Sequence, residues 1–199
     1  TPKVEIDLAG HPTLATAHII LNELSSKKKE ISFHTRTDDV LTVKLNNNIY
    51  SMDFPSYTPE LDNSKLEELS NALKVRPSKI LFAKYCMAVY KSQEEILKIS
   101  PDFNMLSRID YNGFIVTAPG ENCDFVSRFF APRYGILEDA VTGSAHCELI
   151  PYWSKILKKK KMLARQLSLR GGEVYCNDLG NRVEIGGKAV TYMRGEIVL

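Results

Sequence analysis

No apolar run in these 199 residues approaches the roughly 20 that a membrane-spanning helix requires, so no membrane partner is expected. The opening residues carry no secretory-signal pattern, and the protein is read as cytoplasmic. Cysteine is sparse. Cys86, Cys123, Cys147 and Cys176 stand apart without C-x-x-C spacing, which argues against a disulfide frame and against a thiolate metal site. The four histidines form no cluster with cysteines or carboxylates at metal-ligand spacing, so no metal is expected. G-x-G-x-x-G is absent, which leaves nothing to support a nucleotide fold, and no cofactor is expected. An excess of one charge is lacking too. A net charge of +2 gives no reason to expect nucleic acid. The one long basic run, 155–161 (KILKKKK), follows an apolar helix whose C-terminal end suits cations.

What is present is an ordinary globular balance, 44% hydrophobic and 25% charged, enough to bury one large core or two modest ones. Within it one stretch stands out, 136–157 (ILEDAVTGSAHCELIPYWSKIL). The acidic pair Glu138 and Asp139 leads to a Thr142-Gly143-Ser144 turn, and an apolar helical run follows. Ser144 is expected at the N-cap, with Gly143 allowing the turn. A helix start has unpaired backbone N–H groups and a partly positive end, a ready anion site. A serine-capped start alone is an ordinary structural feature. Here the pattern recurs. Near the beginning a short strand ends at Ala9-Gly10, then His11 falls at the expected N-cap with Pro12 at the first helical position, and an apolar helix follows. Two such units suggest a duplicated architecture with two helix starts serving one cleft.

In chain order, 31–37, 40–45 and 49–54 alternate and read as strands; 55–59 (PSYTP) reads as a linker. Next come a helix over 66–73, a strand-like run over 79–89, a helix over 93–99 and a helical turn near 104–107. Strands are expected over 111–117, 125–131, 165–169, 172–177 and 181–185, with one or two more in 189–199. The fold class that results is α+β: two pseudo-symmetric halves, each a curved mixed or antiparallel sheet wrapped around a central apolar helix.

The segments GHPTLATAH (10–18), 128–153, ARQLSLRGGEV (164–174) and VEIGGKAV (183–190) resemble the PhzF-like phenazine-biosynthesis isomerase family over essentially the whole chain. The resemblance implies a diaminopimelate-epimerase-like fold with the site between the halves. The first half would be 1–55 plus 189–199, the second 56–188. It further implies a cofactor-independent isomerase that moves a proton within a small carboxylated substrate, and a possible homodimer. The matching catalytic positions are His11, Asp139 and Ser144; Gly10, Thr13, Gly143, Ala145 and His146 are the expected substrate-binding set. His11 would polarise or relay, Ser144 would donate to substrate, and Asp139 would orient and assist the proton shuttle.

The departures carry expectations of their own. The family's principal acid/base is a Glu upstream of the Gly-His motif, in a stretch these residues lack, and Glu5 is not in the matching position. The chain is therefore expected to lack the family's N-terminal segment, to be inactive alone and to expose a sheet edge. Related epimerases use two cysteines as bases. The corresponding places hold Ala9 and Thr142, which excludes a two-thiol racemase. The competing reading is a non-catalytic member of the fold that binds a small ligand or a protein. His18, His34, Cys147, Tyr152 and Trp153 are read as structural.

Overall fold

The computed structural model describes residues 9–24, 27–35 and 40–197. Helix α1 (Gly10–Ile19) continues as a wider turn over Ile20–Leu24. Strands β1 (Glu30–His34), β2 (Val40–Asn46), β3 (Ile49–Pro55) and β4 (Glu60–Leu61) lead to α2 (Leu66–Leu73), β5 (Lys79–Phe82) and β6 (Cys86–Val89). Two short helices, α3 (Gln93–Lys98) and α4 (Phe103–Arg108), precede β7 (Phe114–Pro119), β8 (Phe125–Ala131) and β9 (Ile136–Asp139). The long helix α5 (Gly143–Leu157) is followed by β10 (Lys161–Gln166), β11 (Gly172–Asp178) and β12 (Arg182–Gly187). The strands form one mixed sheet in the order β1-β2-β3-β12-β11-β10-β8-β7-β6-β5-β4, with β9 beside β8. The α+β expectation holds.

Side-chain alternation divides the core in two. Met87 and Val89 of β6 face a core shared with α5, while Cys86 and Ala88 face a second core under α2, α3 and α4. Every residue of β6 is buried, as expected of a strand covered on both faces. Helix α5 carries the main core through Ala145, Leu149, Ile150 and Trp153. Trp153 stacks on Phe125, ring centroids 5.6 Å apart, and its indole N–H donates to Thr117 at 2.9 Å. Helix α1 is far more exposed than its apolar sequence implies. Of its described residues only Ala17 is buried, and Ile19 is 42% exposed.

Pro151 sits inside α5 and lacks the N–H that would bond the carbonyl four residues back. That carbonyl, on Cys147, instead accepts from the Tyr57 backbone N–H at 2.9 Å. Ser56 N–H likewise donates to Asn181 at 3.2 Å, so the PSYTP segment is docked along its length rather than loose.

Several sequence expectations need correction. The apolar run 79–89 is a hairpin of two strands, β5 and β6, and β9 was not anticipated. No strand forms in 188–197, where Val190, Tyr192 and Met193 are 77–98% exposed. An alternating segment becomes a strand only with a ladder partner. Here Thr191 bonds His18 Nε2 at 3.0 Å and Arg194 bonds Glu23 at 2.6 Å, which lays the segment against the first helix. The expected opening strand, which includes Glu5, lies outside the described residues.

Candidate active site

The two helix starts meet. A Cβ placed on Gly10 would lie 3.8 Å from Gly143 Cα, and one on Gly143 would lie 3.9 Å from Gly10 Cα. The side chain each glycine lacks would therefore sit at ordinary contact distance from the other helix's backbone, so the two starts approach each other closely. Both glycines are the first residues of their helices, so the expected caps shift: Ala9 and Thr142 occupy the N-cap positions, and His11 and Ser144 are both second helical residues. The matching offsets survive this correction. Neither start receives a side-chain cap, which leaves first-turn amides of both helices without the usual partner.

Thr142 fails to cap because its hydroxyl is used elsewhere. It donates to Asp139 Oδ2 at 2.6 Å. Strand alternation on β9 separates the acidic pair. Glu138 turns to Arg128, at 2.7 and 3.0 Å, in an ion pair whose guanidinium also donates to the Ile96 and Ile99 carbonyls. Asp139 turns the other way, to the start of α5, and is half-buried.

Gln166 of β10, 1% exposed, locks this corner. Its Oε1 accepts from Thr142 N–H at 2.8 Å, and its Nε2 donates to the Asp139 carbonyl at 2.8 Å and to Thr142 Oγ1 at 3.1 Å. Gln166→Leu leaves these groups unpaired and is expected to cost about 1–3 kcal/mol, measured by urea denaturation; unchanged stability would show that water replaces the amide.

His11 is exposed, and Ser144 is half-buried with its hydroxyl 3.1 Å from the Tyr85 phenol. Thr13 bonds the Ala9 carbonyl through Oγ1 at 2.9 Å and steadies the first turn of α1. Ala145 and His146 are buried. His146 Nδ1 donates to the Thr142 carbonyl at 2.8 Å, its ring lies in the core near Phe125, and burial pushes it down to about 4. It is neutral at pH 7 and holds the helix start from inside. Gln166, Tyr85 and Glu148 were missed from sequence. The one available signal was Glu148, a carboxylate on an otherwise apolar stretch of helix, four residues after Ser144. Among the described residues no group of three or more His, Cys, Asp or Glu could hold a metal ion, and no helix is long and apolar enough to cross a membrane.

The structure thus defines an α+β protein whose candidate site lies where two glycine-led helix starts abut. The chain belongs to the PhzC-PhzF phenazine biosynthesis-like protein family, whose profile matches residues 1–195. It is 42% identical over 200 residues to an uncharacterized isomerase of Pseudomonas aeruginosa, covering 100% of this chain and 76% of that protein. It is 34% identical over 222 residues to phenazine biosynthesis-like domain-containing protein 1 of Mus musculus, covering 99% and 75%. A crystal structure of a PhzF-family phenazine biosynthesis protein of Enterococcus faecalis superposes with a TM-score of 0.94 at 42% identity, covering 100% of this chain and 76% of that one.

Proposed function

We propose that the chain is an isomerase that moves a proton between carbons of a small carboxylic or amino acid without a cofactor. Isomerase names among the relatives support the reaction class. The observation that carries the finer reading is the close approach of Gly10 to Gly143, which joins two uncapped helix starts. Amides and positive dipole ends from both helices favour a carboxylate at the seam. His11 and Ser144 stand at equivalent positions on either side of it, and Asp139 is tied to it through Thr142.

In this reading the amides bind the substrate carboxylate, aided by Gly10, Thr13, Gly143 and Ala145. Ser144 donates to the substrate, His11 polarises or relays, and Asp139 orients the substrate and assists the shuttle. Incubating the full-length protein with a panel of 2-amino and 2-hydroxy acids in D₂O, followed by NMR, is expected to show one carbon-bound proton replaced by deuterium. Saturable binding of an acid with no exchange would replace isomerisation by ligand binding.

A further inference from the structure

The turn between β5 and β6 reaches the site from a part of the chain that carries no motif. Its Lys84 and Tyr85 backbone N–H groups both donate to Glu148 Oε1, each at 2.9 Å. Glu148 is fully buried on α5, and its Oε2 has no partner. Ser144 lies four residues earlier on the same helix face, and its hydroxyl meets the Tyr85 phenol at 3.1 Å. The Tyr85 ring is set edge-on to Phe129 with centroids 5.0 Å apart. A Cβ at Gly113 would come within 2.5 Å of Phe129 and 2.9 Å of Tyr85, so the absence of a side chain there leaves room for both rings. Packing alone gives no reason for a carboxylate at 148, since burying one is costly.

We propose that Glu148 and Tyr85 are positioning residues for the isomerase site: Glu148 pins the β5–β6 turn by two backbone amides, and the turn holds the Tyr85 phenol against Ser144. With the phenol donating to Ser144 Oγ, the serine proton is left free to point at substrate. The inference rests on the isomerase reading. Burial pushes the Tyr85 hydroxyl up, so it stays protonated and able to donate. Burial also pushes the Glu148 carboxyl up to about 7, against the pull of the two amides and the Lys84 ammonium. The ionisable groups around it are Lys84, Tyr85 and Cys86 of the hairpin, Tyr57 of the docked segment and Cys147 of α5; burial pushes both phenols and both thiols up, so they stay neutral at neutral pH. A carboxylate accepts more strongly than a carboxyl, so the hold on the turn tightens as pH rises through about 7.

Two measurements on the full-length protein test this. In amide exchange followed by NMR, under conditions where Lys84 and Tyr85 exchange by local detachment of the turn with Glu148 still buried rather than by global unfolding, their protection, corrected for intrinsic rates, is expected to rise about tenfold between roughly pH 6 and pH 8 and to stay flat in Glu148→Gln. The same pH dependence in both proteins overturns the role of Glu148. In deuterium-exchange kinetics, Tyr85→Phe is expected to lower kcat about tenfold with little change in KM; wild-type kcat is expected to rise through pH 7 as the turn is held more tightly, and Glu148→Gln to abolish that rise. A Tyr85→Phe protein with wild-type kcat overturns the role of Tyr85. Should the wild-type protein exchange deuterium into no acid at all, the isomerase reading and this use of Tyr85 both fail, while amide exchange still decides whether Glu148 holds the turn.

Discussion

Replacing Asp139 by Ala is expected to lower the rate of deuterium exchange by at least about 10²–10³ while leaving the fold intact. The Asp139 side chain has one hydrogen-bond partner on its own loop, the Thr142 hydroxyl, whereas the buried Gln166 clasp holds the backbone carbonyl of Asp139 and is untouched by the change. Thr142 keeps its backbone bond to Gln166 in the variant, so the melting temperature should move by only a few degrees. The comparison to make is kcat and KM for whichever acid the wild-type protein exchanges, alongside circular dichroism. A variant with wild-type kcat removes Asp139 from the chemistry, and one that fails to fold moves it into the scaffold.

Stability should fall as pH rises through Glu148's titration. Its carboxyl is carried from the usual 4.5 to about 7, chiefly by burial. Because the folded state binds this proton more tightly than the unfolded state, the unfolded chain holds fewer protons between those two values and stability declines there with increasing pH. The full difference corresponds to about 3 kcal/mol, reached above pH 7. Glu148→Gln removes the charge but keeps an oxygen able to accept from Lys84 and Tyr85. Urea denaturation should therefore show the variant close to wild type near pH 4.5 and about 3 kcal/mol more stable at pH 8. Parallel pH curves for the two proteins would mean that water or local motion already relieves the buried carboxylate. A gain in stability at the expense of turnover is the expected pattern when a polar group serves a site.

Where local pattern and tertiary packing agree, the sequence reading and the structure coincide. Helix α2 spans Leu66–Leu73 and β8 spans Phe125–Ala131, both as expected, because amphipathic spacing in one and a β-branched and aromatic run in the other point the same way. The paired glycine-led motifs at Gly10 and Gly143 were readable because each joins a turn residue to an apolar helix. Other features were not readable, for identifiable reasons. The hairpin inside 79–89 was hidden because β6 is buried on both faces and shows no alternation. The caps were placed two residues too late because Gly10 and Gly143 read as turn residues, whereas both are already helical. Tyr85 and Gln166 reach the site across 59 and 24 residues of chain, and no local pattern reports a contact of that kind.

The close approach of Gly10 to Gly143 joins two helices whose starts are separated by more than a hundred residues of chain. Contacts between residues so distant in sequence form late in folding, after the entropy of closing the intervening loop has been met. An anion lodged between the two helix starts would therefore act as a clamp on the assembled molecule: it recognises a surface that neither helix has alone, and whatever binds there also holds two sequence-distant helices together.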